Sequence, residues 1–368
     1  MVNLPNVSGR IRHQTTGLPD FRTSGPSNFP HHTAMSDRHS RQERFGPIGV
    51  AGQARLRLAR VLVVGVGALG SAVAEMLCRA GVGHLRLVDR DIVEESNLQR
   101  QALYTHDDAH HGRAKAHAAA AHLNTIDPQC ICEPIAGELT AATVAGLLSG
   151  SDLAIDGLDN FPARHLLNEA CCRAGVPWIH GAVLGAYGVS MPILPGETAC
   201  LRCLQSELPA PADNPTCDTA GVISPIVRTV AAWQSVEALK LLVGDRAAVR
   251  RELWATDLWT NRFQRIRPQR DPSCRACGPA ADWPQLAAGD EPAIVLCGRQ
   301  AIQIRRTPPG DLRRLATRLG SLVTASNPVF VRFRDGDATA TCFADGRVLV
   351  QGIADPARAR GLCDRWLG

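Results

Sequence analysis

Short aliphatic and β-branched runs alternate with Ala-rich stretches between Arg60 and Asp159, and this pattern predicts strands separated by helices. Strands connected through helices pair in parallel with right-handed crossovers, so we expect an α/β fold with a doubly wound, mostly parallel sheet. The predicted strands are Val61 to Gly65, His84 to Asp89, a run near Cys132 and Asp152 to Asp156, and the predicted helices are Ser71 to Ala80, Ala114 to Leu123 and Ala141 to Leu148.

The pattern changes after Val176, where strand-like runs dominate and predict an antiparallel extension of the sheet. A polar, Pro-rich stretch from Ser206 to Pro215 predicts a long loop, and the run from Val222 to Leu242 predicts a helix that ends at a glycine. The predicted strands of this part are Trp178 to Leu184, Tyr187 to Leu194 and two within Glu252 to Ile266.

The two ends of the chain differ from its centre. Residues 1–34 are rich in Pro, Ser, Gly and His, so we expect them to be disordered, or untranslated if Met35 is the start codon. Residues 35–278 then form the main domain, 279–291 a linker, and 292–368 a small α+β module. Its predicted elements are strands in Ala293 to Ile304, Val329 to Phe333, Ala338 to Phe343 and Arg347 to Gln351, with helices from Asp311 and Asp355.

Composition excludes several classes of protein. With 368 residues, 45% of them hydrophobic, the chain can bury a sizeable core. Its net charge of +5 is spread along the chain and aromatic residues make up 4%, which argues against nucleic-acid binding. No apolar run reaches the length of a membrane span. Thirteen cysteines, an odd number without an apolar leader, favour a reducing, cytoplasmic compartment.

A glycine-rich turn follows the first predicted strand and leads into the helix at Ser71. Gly65, Gly67 and Gly70 allow a tight turn whose backbone N–H groups approach a phosphate at the positive end of that helix. Asp89 ends the next strand, where it can accept hydrogen bonds from a ribose hydroxyl. These features predict a Rossmann-like nucleotide site, and an NAD-dependent oxidoreductase would share them.

Further charged and polar side chains follow the strand ends that meet at the same edge of the sheet. Cations beside a nucleotide suit nucleotidyl transfer, in which they neutralise phosphate charge while a carboxylate holds Mg²⁺. Taken singly, each of these residues could also be a solvated helix charge or a helix cap. The candidates are Asp91, Asn97, Arg100, Gln101, Lys115 and Asp159.

The cysteines divide into pairs and single residues. Two pairs, Cys200 with Cys203 and Cys274 with Cys277, have the short spacing of a closed tetrahedral site for structural zinc. Cys217 follows the predicted loop and precedes a helix, where a thiol is favoured as a nucleophilic thiolate. We expect the remaining eight to pack in the core.

Six parts of the sequence together resemble the ThiF/MoeB/HesA adenylyltransferases, bacterial relatives of the ubiquitin-activating enzymes. These parts are Arg38 to Phe45, the Gly65 to Gly70 turn, Asp89 to Gln101, Lys115, Asp156 to Asn160 and Gly185 to Gly188. The resemblance covers about residues 38–278, and the C-terminal end resembles an extension carried by one ThiF-like branch. It implies that ATP contacts Asp89, Asn97, Arg100 and Lys115, and that Asp159 binds Mg²⁺. It also implies a homodimer in which Arg41 reaches the phosphates in the neighbouring subunit's site.

The resemblance further implies an activity. A nucleotidyltransferase of this family adenylates the C-terminal glycine carboxylate of a ubiquitin-like sulfur carrier protein ending in Gly-Gly, ThiS-like or MoaD-like, and releases pyrophosphate. A sulfur donor, such as a cysteine desulfurase or a sulfurtransferase, then forms the thiocarboxylate for thiamine or molybdopterin biosynthesis. The cysteine matching Cys217 can link covalently to the carrier in ThiF-like relatives and is dispensable in MoeB-like ones.

Three alternative functions remain open from the sequence. An NAD-dependent oxidoreductase would leave Arg41, Arg100 and Asp159 without a role. A non-catalytic module could dock a ubiquitin-like protein without forming AMP. A dehydratase that adenylates a tRNA carboxylate would need a basic stripe, and the scattered charges do not provide one.

Overall fold

The computed structural model describes residues 37–208, 220–288, 293–296, 301–306, 311–353 and 355–367. The predictions made for residues 1–34, for Cys217 and for most of the loop from Ser206 to Pro215 lie outside these ranges. None of the helices in the described ranges combines the length and the apolar character that crossing a bilayer requires.

The first sheet has the strand order β3-β2-β1-β4-β5-β6-β7-β8. The strands β1 to β5 pair in parallel, whereas β6, β7 and β8 extend the sheet in antiparallel fashion. The predicted doubly wound sheet with an antiparallel extension is therefore confirmed. Its strands are β1 (Arg60–Val64), β2 (His84–Asp89), β3 (Ile131–Ala136), β4 (Leu153–Asp156), β5 (Trp178–Leu184), β6 (Tyr187–Ile193), β7 (Leu253–Asp257) and β8 (Arg262–Ile266).

Helices cover both faces of this sheet. On β1, Val61 and Val63 pack into one buried cluster, whereas Leu62 and Val64 pack into the other. A strand buried on both faces reads as a continuous apolar run, which is why the sequence pattern of β1 is so clear. The helices are α1 (Ser40–Glu43), α2 (Gly49–Leu58), α3 (Ala68–Arg79), α4 (His106–His110), α5 (Lys115–Ile126), α6 (Val144–Leu148), α7 (Phe161–Ala174), α8 (Leu201–Leu204), α9 (Ser224–Val243) and α10 (Pro284–Ala288).

The second sheet is antiparallel, with the order β11-β12-β13-β14-β10-β9. Its own buried cluster includes Phe333 and Trp366, whose rings meet edge to face at 4.8 Å. The small α+β architecture expected for the C-terminal end is thus present. Its elements are β9 (Ala293–Leu296), β10 (Ala301–Arg305), α11 (Leu312–Leu319), β11 (Val323–Ser326), β12 (Phe330–Asp335), β13 (Ala338–Phe343), β14 (Arg347–Gln351) and α12 (Pro356–Leu367).

Some element bounds differ from the predicted ones. The strand predicted from Ala293 to Ile304 is two strands, β9 and β10, which pair with each other. The strand β11 was not predicted, because its sequence Val-Thr-Ala-Ser is short and half-buried residues alternate in it with exposed ones. Within the predicted linker, residues 284–288 form α10, whose first N–H groups reach Glu169: Gln285 N donates to its carboxylate at 2.7 Å.

A buried carboxylate connects the end of β4 to its neighbours. Asp156 is fully buried and accepts hydrogen bonds from Arg164 Nε at 3.2 Å and Leu158 N at 2.9 Å, and its Oδ2 lies 2.7 Å from His180 Nδ1. Burial acts to raise the pKa of Asp156, but the charge of Arg164 and the hydrogen bond to His180 outweigh it, so the pKa lies below its usual range. Ionised Asp156 therefore stabilises the fold.

We expect Asp156→Asn to lower the free energy of unfolding by about 3 kcal/mol at pH 7, because it leaves buried Arg164 without its counter-charge. Since the folded pKa is depressed, the stabilising effect is complete above about pH 5, begins to be lost as the pH falls through the unfolded value of about 3.9, and is fully lost only below the folded pKa. Urea denaturation of both proteins across this range measures the difference. A difference that stays constant down to pH 3.5 would contradict the assignment.

Candidate active site

The Gly65 to Gly70 turn is built by direct backbone contact. Gly65 has a φ of +81°, and a Cβ on Gly70 would lie only 1.8 Å from the carbonyl oxygen of Gly65, so no side chain fits there. Gly67 caps the start of α3 without a side chain. The first N–H groups of α3 therefore lack intrahelical acceptors and stand at the positive end of a buried helix, as an anion site requires.

Asp89 is the carboxylate behind this turn. It is 8% exposed, and its two oxygens accept hydrogen bonds from Val66 N at 2.6 Å and Asp91 N at 2.7 Å. Burial raises the pKa of Asp89, and the nearby charge of Lys115 opposes the shift. The side chain thus fixes the turn to the end of β2 and keeps free lone pairs for a hydroxyl donor.

Lys115 and Asp91 form an ion pair beside Asp89. The two segments that carry them are paired, with Lys115 N donating to Asp91 O at 2.9 Å, and Lys115 Nζ lies 3.2 Å from Asp91 Oδ2. The Lys115 side chain is 5% exposed. Lys115 and Lys240 are the two lysines of the sequence, whose other basic side chains, apart from histidines, are arginines. An ammonium is a compact point charge, whereas the guanidinium of an arginine is larger and planar.

The turn after β2 supplies three more of the candidates. Asn97 is buried and caps its own turn by accepting from Glu94 N at 3.1 Å. Gln101 is buried with its amide nitrogen beside Gly67, and its Oε1 has no hydrogen-bond partner among the described residues. A buried, unpartnered amide oxygen next to the glycine turn fits a site that a polar ligand completes. Arg100 is half-buried and donates to Ser96 O at 2.7 Å.

Asp159 follows β4 at the same edge of the sheet. It is exposed, and its Oδ1 accepts from Asn160 Nδ2 at 3.0 Å. Burial acts to lower the pKa of Arg90, but the charges of Asp91 and then Asp159 outweigh it, so the pKa lies above its usual range. An exposed carboxylate suits Mg²⁺, which keeps several waters when it binds a protein.

The four paired cysteines lie close together beside the antiparallel extension of the first sheet. The sulfurs of Cys200, Cys203, Cys274 and Cys277 all lie within 4.8 Å of one another. The distances are 3.8 Å for Cys200 to Cys203, 3.6 Å for Cys200 to Cys274 and 3.4 Å for Cys203 to Cys277. Tetrahedral zinc with Zn–S bonds of about 2.3 Å separates its sulfurs by about 3.8 Å, so the cluster could hold zinc.

The profile of the ThiF family matches residues 39–276, which span the glycine turn, the charged edge and three of the four clustered cysteines. The chain belongs to the ThiF family.

Relatives of this ThiF-family chain include two differently named adenylyltransferases. The chain is 42% identical over 341 residues to the sulfur carrier protein ThiS adenylyltransferase of Bacillus subtilis (strain 168), covering 91% of this chain and 100% of that protein. It is 36% identical over 243 residues to the molybdopterin-synthase adenylyltransferase of Escherichia coli (strain K12), covering 66% of this chain and 96% of that protein.

Solved structures resemble its fold. The crystal structure of E. coli MccB matches with a TM-score of 0.60 and 21% identity, covering 67% of this chain and 74% of that one. At this identity the likeness bears on the fold alone.

The structure brings most of the predicted nucleotide-binding residues of the ThiF-family chain to one edge. Gly65, Asp89, Asp91, Gln101 and Lys115 are connected by the contacts above. Arg41 is different: it lies exposed on α1, where it donates to Ser40 Oγ at 3.1 Å. The roles assigned to all these residues remain predictions.

Two residues of this edge were not identified from the sequence. Tyr104 Oη donates to Val66 O at 2.5 Å and lies 3.2 Å from Lys115 O, so it holds the glycine turn against the start of α5. Arg90 stands between Asp89 and Asp91 in the sequence, and this order indicates an arginine at the same edge of the sheet as the two carboxylates.

We expect Cys274→Ser to abolish zinc binding, because it removes one of four thiolates from a closed site; wild-type protein should carry about one zinc per chain and the variant below about a tenth of that. Metal analysis after purification without chelators gives the stoichiometry, and thermal melting should show a lower midpoint. Cys132→Ser, which changes a half-buried thiol on β3, is the control. Equal zinc in both variants, or none in the wild type, would refute the zinc site.

Proposed function

We propose that this ThiF-family chain is a nucleotidyltransferase that uses ATP to adenylate the C-terminal glycine carboxylate of a ubiquitin-like sulfur carrier protein. The observation that carries the proposal is the buried ammonium of Lys115, held 3.2 Å from Asp91 beside a glycine turn built for phosphate. The names of the relatives support the same activity.

The chemistry needs positioning more than acid–base catalysis. A terminal carboxylate has a pKa of roughly 3.5 and is already ionised at neutral pH, so no general base is required. Its oxygen attacks the α-phosphorus of ATP, a new P–O bond forms, and the bond to the β-phosphate oxygen breaks to release pyrophosphate. The products are the acyl adenylate and pyrophosphate. What the protein must supply is in-line placement and compensation of phosphate charge.

Each candidate residue has a place in this proposal. Asp89 would accept from the ribose, and the N–H groups at the start of α3 would hold the phosphates. Lys115 and Arg100 would neutralise the charge that develops on the phosphates. Asp159 would hold Mg²⁺, which when bound would neutralise charge on the phosphate oxygens.

A ThiS-like carrier is the first candidate. The likeness to the ThiS adenylyltransferase of B. subtilis spans 91% of this chain, more than residues 39–276 alone, whereas the likeness to the molybdopterin-synthase enzyme of E. coli spans 66%. A MoaD-like carrier is the second. In either pathway a donor delivers sulfur at the sulfide level to the acyl carbon, AMP leaves, and a thiocarboxylate results; Cys217 is a candidate thiol for linking the carrier.

Lys115→Arg should reduce ATP–pyrophosphate exchange at least tenfold, because the larger guanidinium cannot replace a compact, buried ammonium even though it keeps the charge. The assay uses purified ThiS-like and MoaD-like carriers that end in Gly-Gly. Lys240→Arg is the matched control, since Lys240 forms an ion pair with Glu237 at 2.8 Å on α9. Full exchange by Lys115→Arg would exclude the need for a compact ammonium, full exchange by Lys115→Ala would exclude the role given to Lys115, and no exchange by the wild type with any carrier would refute the proposed function.

The proposal includes a homodimer in which Arg41 serves the neighbouring subunit's site. Arg41→Ala and Lys115→Ala should each lack exchange activity alone. Mixed dimers isolated through two different affinity tags should regain about half of the wild-type activity, because one of their two sites is then complete. Mixed dimers as inactive as both parents would show that Arg41 acts within its own subunit, and an active Arg41→Ala would show that it has no role in exchange.

A further inference from the structure

The second sheet contacts the charged edge of the first sheet directly. We propose that this sheet supports the nucleotide site, and that Glu138 is a positioning residue which limits how closely Arg90 approaches Asp91, so that Asp91 stays paired with Lys115. The inference rests on the proposed function and adds to it a role for the C-terminal module.

The first contact is polar. Glu138 follows β3 at the carboxyl edge of the sheet and receives Arg90 NH1 at 2.6 Å from the first sheet. From β10 of the second sheet it receives Gln303 Nε2 at 2.9 Å and Arg305 NH2 at 2.7 Å. The Glu138 side chain is 13% exposed. One buried carboxylate thus joins three donors from two sheets.

The charge of Glu138 is maintained by these partners. Burial acts to raise the pKa of Glu138, but the charge of Arg90 and the hydrogen bond from Gln303 outweigh it, so the pKa lies below its usual range. The carboxylate is therefore ionised at neutral pH and is a strong acceptor for Arg90.

The second contact is apolar. Phe330 on β12 is fully buried in a cluster with Ile92 and Phe343. A Cβ on Gly112 would lie 3.3 Å from Phe330 Cζ. Ile92 itself pairs with Ala114 in an isolated antiparallel bridge, and the neighbouring residues Asp91 and Lys115 belong to the same pairing. The ring of Phe330 therefore packs against the two segments that carry the ion pair.

The polar contact controls a competition. Arg90 Nε already lies 4.0 Å from Asp91 Oδ1 in a long ion pair, whereas Lys115 Nζ pairs with Asp91 Oδ2 at 3.2 Å. Once Glu138 releases it, the guanidinium can move close enough to bind both oxygens of Asp91 and so compete with Lys115. Glu138 prevents this because it holds the other end of the guanidinium. If Glu138 loses its charge, Arg90 moves towards Asp91, and Lys115 loses the orientation that the phosphates require.

The test compares full-length variants in two assays, MgATP affinity by calorimetry and the KM values of the exchange reaction. Glu138→Gln should weaken MgATP binding about tenfold, as expected for one charge-assisted hydrogen bond. It should raise the KM for ATP and leave the KM for the carrier unchanged. Arg305→Met should also weaken MgATP binding and raise the KM for ATP, because it removes one of the module's donors to Glu138.

Two matched controls change the same residue types nearby. Glu133→Gln alters a carboxylate on the same strand, β3, that pairs with Arg86 at 2.9 Å. Arg306→Met alters the arginine next to Arg305, which pairs with Asp364 at 2.6 Å inside the second sheet's module. Both should bind MgATP with the affinity of the wild type. Equal weakening in the controls, or an unchanged affinity in Glu138→Gln, would overturn the inference.

A rescue separates positioning from a loss of stability. Adding Arg90→Gln to Glu138→Gln removes the competing guanidinium, so MgATP affinity should recover towards the wild type although the melting temperature does not. A double variant that binds no better than Glu138→Gln would contradict the competition. MgATP binding needs no carrier, so a wild type that binds MgATP but adenylates no carrier would refute the proposed function alone, and the variant comparison would still decide this inference.

Discussion

The backbone contact between Gly65 and Gly70 is the constraint on which the candidate site depends. A Cβ on Gly70 would lie 1.8 Å from Gly65 O, and one on Gly157 would lie 2.2 Å from the same atom. Three glycines thus bring the end of β1, the start of α3 and the end of β4 together without side chains between them. Only in that arrangement can Asp89 reach Val66 N and Tyr104 reach Val66 O. The glycine turn therefore fixes the positions of the neighbouring strand ends.

Charge at this edge is arranged in pairs before any ligand is considered. Buried Asp89 lies beside Lys115, Lys115 pairs with Asp91, and Arg90 pairs with Glu138. Buried charges are tolerated when each has a partner, and removing one partner costs more than the pair contributes. A phosphate that approaches Lys115 must share it with Asp91, which favours a ligand of high negative charge over a neutral one. Under the proposed function, that ligand is the triphosphate of ATP.

Local sequence patterns were enough to predict most of the strands and helices. They could not predict contacts between residues that are far apart along the chain. The bounds predicted for β2, β5, β13 and β14 are those observed, because alternating or fully apolar patterns depend only on near neighbours. Candidate residues at strand ends could be placed together because parallel strands share an edge. The role of Glu138 could not be found in this way, since its partner Gln303 is 165 residues away and belongs to another sheet.

The cysteine cluster and the second sheet stabilise different parts of the structure. Cys200 and Cys274 are 74 residues apart and meet where β6 to β8 continue the sheet, far along the strand order from β2 and β3. The antiparallel strands send alternate ends to each edge, so they cannot supply a row of carboxyl ends as β1, β2 and β4 do. A closed four-sulfur site can hold this extension without taking part in chemistry. The second sheet instead lies against the β2–β3 side, where the ion pair of Asp91 and Lys115 needs a fixed neighbour. With zinc bound, the cluster would stabilise the extension, and under the role proposed for Glu138 the second sheet would orient the β2–β3 edge, so the two tasks fall to separate elements.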